Sequence, residues 1–226
     1  MPRILARLVL DSALVATLLF AGAGTLRWPR AWVLLALMLS VRVIGACLVH
    51  RVHPALVRER ARLPVHASQS WSDRALLLGV LATGFLGLAL VAGLDVWRWH
   101  LVARPHVAIA ACGLALFTAG WALKSVALHA NAFAIAEVRS QRADGQLLAD
   151  GGVYGVIRHP FYAADLLILV GQGLWLESYV AALASVVPVA LMVVRLQMEE
   201  QFLRVELPDY GAYARRVPYR LIPGVW

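Results

Sequence analysis

The chain has 226 residues, is 61% hydrophobic and carries a formal charge of +8, with a mean hydropathy of +0.72. These values exclude an ordinary soluble domain and fit a single integral membrane domain over residues 1–226. All but one of the 21 basic side chains are arginines, Lys124 being the exception. Most lie in loops between apolar runs, where anionic lipid headgroups rather than nucleic acid account for them.

A first span over about Ile4–Gly24 contains Arg7 and Asp11, spaced i,i+4 so that they can pair on one face. Its length and the lack of a small-residue cleavage signal make it a retained helix rather than a removed leader. Trp28 follows as an interfacial aromatic, and a second span runs from Ala31 to about His50 with Arg42 inside it. An arginine-rich polar loop, residues 51–74, leads to a third span over about Ala75–Val96 and a fourth over about His106–Ala127. Residues 131–152 read as a loop at the membrane surface. The stretch from Gly151 to Glu200 reads as a helical hairpin, spans five and six, turning at Glu177 and Ser178. The tail continues helically beyond it for about two turns and breaks near Pro208. The expected fold is an all-α, polytopic transmembrane bundle of about six spans. Residues 1–130 form its four N-terminal spans, and 131–226 the last hairpin and a cytoplasmic tail. Cys47 and Cys112 lie in apolar segments without a CxxC and read as small core residues, with no disulfide and no metal site.

With the N-terminus in the cytoplasm, thirteen arginines fall inside: Arg3, Arg51, Arg58, Arg60, Arg62, Arg74, Arg139, Arg142, Arg158, Arg204, Arg215, Arg216 and Arg220. Only Arg27, Arg30, Arg98 and Arg104 fall outside. That positive-inside bias places both termini and the open end of the hairpin in the cytoplasm. The preference for arginine over lysine suggests a GC-rich bacterial genome, and so an inner-membrane protein.

No GxGxxG behind a strand, P-loop, HExxH or GxSxG occurs. What remains is a set of ionisable groups in or beside apolar helices, which are costly there and so are paired, snorkelling or functional. His159 lies about 18 residues before the turn and Glu199 about 21 after it, so the two reach similar depth at ~1.5 Å per residue. Arg158, His159 and Pro160 open the fifth span, with Tyr162 and Asp165 just inside it. Arg195, Glu199 and Glu200 close the sixth. Each group alone fits an ordinary interfacial cap. Together they make a polar pocket in an apolar wall.

The run GVYGVIRHPFY, the Glu199–Glu200 pair about forty residues on, and the tail LPDYGAYARRVPYRLIPG closely resemble the isoprenylcysteine carboxyl methyltransferase family. Its shared signature is RHPxYxG followed by a glutamate pair. The strong likeness covers about residues 131–226, and a weaker one takes in the ERAR and AGLD stretches upstream. The signature's last glycine is Ala164 here, which puts an extra methyl where the family allows close approach and suggests a tighter pocket. The resemblance implies S-adenosylmethionine as cofactor, lined by Tyr154, Arg158, His159, Pro160 and Tyr162. Glu199 or Glu200 would take its ammonium or ribose hydroxyls. Arg158 or Arg195 would suit a carboxylate, in a catalytic role. The partners implied are membrane lipids and a lipophilic or lipid-linked acceptor; neither nucleic acid nor metal is expected. The tail's Tyr210, Tyr213, Tyr219 and Trp226 read equally as a lid or as a surface anchor. Two rivals stand beside this: an NADPH-dependent sterol- or steroid-type membrane reductase, whose C-terminal pattern is similar, and a non-enzymatic scaffold keeping a degenerate site.

Overall fold

A computed structural model of the chain describes residues 2–60, 70–131 and 148–226. Within them every element is helical: α1 (Pro2–Ala23), α2 (Pro29–Val52), α3 (Pro54–Arg60), α4 (Trp71–Val80), α5 (Leu88–Leu94), α6 (Val107–Ala130), α7 (Pro160–Trp175), α8 (Tyr179–Ala184), α9 (Val186–Glu206) and α10 (Tyr210–Arg216). Helices α4 and α5 belong to one continuous rod, Trp71–Trp99, wound as π-helix over Leu81–Gly87 and Asp95–Trp99. Proline opens α2, α3 and α7, at or near the first turn where its missing N–H costs no intrahelical bond.

Among the described residues, five helical stretches are long and apolar enough to cross a bilayer: Pro2–Ala23, Pro29–Val52, Trp71–Trp99, Val107–Ala130 and Tyr179–Glu206. The expected fifth span, α7, has 16 residues. At ~1.5 Å per residue it covers ~24 Å, a little short of the ~30 Å hydrocarbon core. Its ends nevertheless sit at opposite ends of the bundle. At the turn, Arg30 at the start of α2 donates to the Trp175 carbonyl (3.2 Å) and pairs with Glu177 (3.2 Å). Ser178 donates to the buried Asp95 (2.6 Å) and caps α8 by accepting from the N–H of Ala181 in its first turn. Glu177 takes a left-handed φ of +63° to make the bend. At the other end, Arg158 meets Glu200. The expected turn and the doubling-back of the chain are both present, and about six crossings agree with the architecture.

The seam between α6 and α7 explains why so short a helix can be held. Gly113 and Gly120 on α6 face Gly171 and Ala164 on α7 with the backbones almost touching. A Cβ on Gly120 would lie 2.7 Å from the Ala164 carbonyl, and one on Gly171 would lie 2.5 Å from the Phe117 nitrogen. Small residues bring membrane helices close enough for backbone-to-backbone packing. Gly171→Leu is therefore expected to destabilise the fold by about 3 kcal/mol or more, since the added atoms meet rigid backbone. The thermal midpoint of the purified protein in detergent measures this.

Several local expectations are corrected. The loop over 51–74 is partly helical: α2 extends to Val52, α3 follows directly, and α4 starts at Trp71 under a Ser70 cap. Residues 61–69 and 132–147, which include Arg62, Arg139, Arg142 and most of the 131–152 loop, lie outside the described residues. Trp28, expected as an interfacial aromatic, is buried in the protein rather than facing lipid, 3% exposed and packed edge-on to Trp97. Cys47 and Cys112 are exposed rather than buried, on the outward faces of α2 and α6. Nothing in the apolar pattern distinguishes a lipid-facing position from a core one, because hydrocarbon accepts both. Ala164 is fully buried in the α6–α7 seam. It does not line the polar cavity of the bundle, against the expectation that its methyl makes the pocket tighter. The tail leaves helix α9 at Glu206, as expected near Pro208, but then adds α10.

Candidate functional site

The Arg158-His159-Pro160 turn joins a 3₁₀ turn, Gly152–Gly155, to α7. The C-terminal tail lies along it as an extended strap: the N–H of Arg158 donates to the Tyr219 carbonyl (2.9 Å) and that of His159 to the Arg220 carbonyl (3.0 Å). Arg158 then fixes the strap from the side. Its Nη1 donates to the carbonyls of Val217 (2.7 Å), Pro218 (2.9 Å) and Ala214 (3.3 Å), while Nε donates to Glu200 (2.8 Å). Glu200 also accepts from His159 Nε2 (3.2 Å) and Arg220 Nε (3.1 Å). One buried carboxylate thus sits among three basic side chains. All of it serves to hold the tail on the start of α7.

Its neighbour does something else. Successive residues on a helix point ~100° apart, and Glu199 faces a cavity of about 610 Å³ whose lining does not include Glu200. The Glu199 carboxylate accepts from the Tyr162 hydroxyl (2.7 Å). That hydroxyl accepts from Arg195 (3.0 Å), and Arg195 donates to Asp73 at the start of α4 (2.8 Å). Asp73 is 3% exposed. The relay Asp73–Arg195–Tyr162–Glu199 ties three helices together and aims one carboxylate into the cavity.

The rest of the polar end is phenolic. Tyr154, Tyr210 and Tyr213 line it with Asn131, whose amide reaches the Tyr154 hydroxyl at 3.4 Å. Tyr213 donates to the Tyr154 carbonyl (2.8 Å), docking α10 on the 3₁₀ turn. The Tyr210 hydroxyl is buried and has no hydrogen-bond partner among the described residues. Burial pushes the Tyr154 phenol up to about 12 and those of Tyr210 and Tyr213 higher still, so all three stay protonated at neutral pH. Arg60, from the ERAR stretch, also lines the cavity and lies over the Phe161 ring, 5.0 Å from its centre.

Every expected site residue is therefore found at one end of the bundle. Tyr154, Arg158, His159, Pro160, Tyr162, Arg195 and Glu199 line the cavity, and Glu200 lies behind it. Asp165 is also in the wall, but paired with Lys124 of α6. The sequence reading missed Asp73 and Arg220. A lone acid in the first turn of a helix reads as dipole compensation, and an arginine in a basic tail reads as a lipid contact, so neither carried a signal of its own.

The residues fit S-adenosylmethionine. A cavity of this size lies in the range that encloses a drug-sized ligand. A carboxylate stands ready for an ammonium, and tyrosine faces suit a cationic sulfonium. The unpartnered Tyr210 hydroxyl and Asn131 can serve a ribose diol or adenine edge.

The architecture and this cavity define the class: a polytopic helical membrane protein with its polar site at one end of a helical hairpin. Residues 105–208, a stretch just short of half the chain, match the family described as phospholipid methyltransferase. The fold is that of a eukaryotic intramembrane Ras methyltransferase, an isoprenylcysteine carboxyl methyltransferase. The two superpose with a TM-score of 0.55 at 16% identity, over 95% of this chain and 75% of that one. A cobalt-zinc-cadmium resistance protein, CzcN, of Cupriavidus metallidurans is 35% identical over 72 residues, which is 31% of this chain and 33% of that protein. The match thus spans about a third of the curated relative's length. The resemblance read from the RHPFY and glutamate-pair motifs is borne out by the match over residues 105–208 and by the shared fold.

Proposed function

We propose that the protein transfers a methyl group from S-adenosylmethionine to a lipophilic acceptor at the cytoplasmic face of the membrane. The observation that carries this reading is the cavity-facing Glu199, held by Tyr162 and Arg195 opposite Tyr154 and Tyr210. In this reading Glu199 holds the cofactor's ammonium or ribose, and the three tyrosines and Asn131 enclose it. Arg195 orients Glu199 through Tyr162, which makes it a positioning residue. Arg158, His159 and Glu200 clamp the tail, so that α10 closes the pocket as a lid against water. The bound cofactor supplies an electrophilic methyl on a sulfonium. The protein's part is to hold nucleophile and carbon ~3–3.5 Å apart and in line. A carboxylate or thiolate acceptor needs no general base, and the protonated phenols are unsuited to act as one.

The acceptor reaches the site from the bilayer, since the same cavity runs on between apolar side chains of α1, α2 and the Trp71–Trp99 rod. Phospholipid amines, isoprenoid or prenylcysteine-like acids and lipophilic thiols are the candidate classes. The arginine distribution supports a cytoplasmic site in a bacterial inner membrane. The reductase alternative is not favoured, because both the matched family and the structural relative are methyltransferases.

Two experiments test the reading. Lipid extracts of cells with and without the protein are compared by mass; a species gained by one methyl group is expected only with the active protein, and identical extracts would count against it. Tyr162→Phe keeps the ring but cuts the link between Arg195 and Glu199. It is expected to leave the fold intact while weakening binding of S-adenosylhomocysteine about tenfold, as for a lost charge-assisted hydrogen bond. Isothermal titration measures it.

A further inference from the structure

The same cavity contains a second polar group of side chains that the cofactor reading does not use. Arg42 on α2 donates from Nη2 to Asp11 (2.6 Å), and Asp11 also accepts from Arg7 Nε (2.9 Å). Lys124 on α6 pairs with Asp165 on α7. Both Arg42 and Lys124 lie over one indole, Trp121, at 5.2 Å and 5.5 Å from its ring centre. All six residues line the cavity that reaches Glu199. The group holds three cations against two carboxylates, an excess of one positive charge inside an apolar bundle.

Helix association alone accounts for the ion pairs but not for what is left over. Two buried N–H donors, Arg42 Nη1 and Trp121 Nε1, have no hydrogen-bond partner among the described residues. A buried donor left without an acceptor is destabilising, and the more so on a guanidinium. Excess positive charge and two unused donors on adjoining side chains together ask for an oxyanion. The surrounding wall, with Leu8, Val15, Met38, Phe85 and Phe117, is apolar and suits an alkyl or isoprenoid chain.

We infer that Arg42 and Trp121, backed by Lys124, form a subsite that binds the acidic head, phosphate or carboxylate, of a long-chain amphiphile drawn into the cavity from the bilayer. The inference deepens the methyltransferase reading by giving its acceptor an acidic group. It explains why two cations share one indole at a depth where charges are otherwise avoided.

The test uses the full-length protein in a neutral detergent, titrated with hexadecyl phosphate, palmitate, hexadecanol and inorganic phosphate. Binding is read by titration calorimetry and by the rise in Tm. Saturable stabilisation by hexadecyl phosphate or palmitate is expected, with hexadecanol weaker by at least about tenfold. Whichever of the two acids binds identifies the head. Trp121→Phe keeps the ring and removes the donor, and should weaken acid binding about tenfold while the affinity for S-adenosylhomocysteine stays unchanged. Arg42→Gln combined with Asp11→Asn removes an ion pair as a unit, so the bundle keeps its charge balance, and should do the same. Equal binding of hexadecanol, equal binding of inorganic phosphate, or wild-type acid affinity in both variants would overturn the inference. Failure of S-adenosylhomocysteine to bind the wild type would instead count against the methyltransferase reading, and is read separately from the acid titration.

Discussion

Glu200→Ala is expected to loosen the C-terminal tail and destabilise the protein by about 3–5 kcal/mol, the usual cost of stripping one partner from a buried ion pair. The carboxylate is 4% exposed as a residue and faces Arg158, His159 and Arg220. Without it, Arg158 keeps only tail carbonyls as acceptors, and basic groups face one another with no counter-charge. The strap over the Arg158–Pro160 turn then keeps its two backbone hydrogen bonds and the Arg158 contacts to its carbonyls but loses the carboxylate that anchors Arg158 and Arg220. A lowered Tm, with faster tryptic cleavage at Arg215 and Arg216, is the expected signature. An unchanged Tm with an equally resistant tail would show that the three-way pairing contributes nothing.

Glu199→Ala, one residue earlier, should do the reverse. The fold has little to lose, because the side chain points into the cavity and Tyr162 retains Arg195 as a partner. The proposed ligand has much to lose. A charge-assisted hydrogen bond of about 1.5–3 kcal/mol corresponds to a drop in affinity of about tenfold to a hundredfold for S-adenosylhomocysteine. Glu199→Gln still offers Tyr162 an oxygen to donate to, so a comparable drop in that variant would assign the effect to charge rather than to the Tyr162 contact. Wild-type affinity in both variants, at unchanged Tm, would remove Glu199 from the site. On the proposed reading the pair of glutamates thus separates into one that holds the tail and one that is offered to the ligand.

That division was not legible in the sequence, where Glu199 and Glu200 are adjacent and chemically the same. The hairpin was legible, because charge marks at Arg158–Pro160 and Glu199–Glu200 bracket an apolar run broken only at Glu177-Ser178. The depth of the site followed from helical rise alone. What failed was the assignment of faces. In a membrane bundle, hydrophobic periodicity is weak, so Cys47 and Cys112 read as core and turned out to face outward, while Trp28 read as interfacial and is buried. Long-range partners were equally hidden. Asp73 comes to Arg195 from 122 positions away along the chain, and only the packing of α4 on α9 brings the two together. The structure also reassigns Ala164. It is fully buried, with its carbonyl against Gly120 of α6, and does not line the cavity.

On the proposed reading, the hairpin and its strapped tail enclose a sulfonium donor at Glu199. The most direct measurement is the thermal shift of the purified wild-type protein titrated in parallel with S-adenosylhomocysteine and NADPH. Saturable stabilisation by S-adenosylhomocysteine, shifted to about tenfold to a hundredfold higher ligand in Glu199→Ala and absent with NADPH, is the predicted result. Stabilisation by NADPH alone, or by neither ligand, would contradict it.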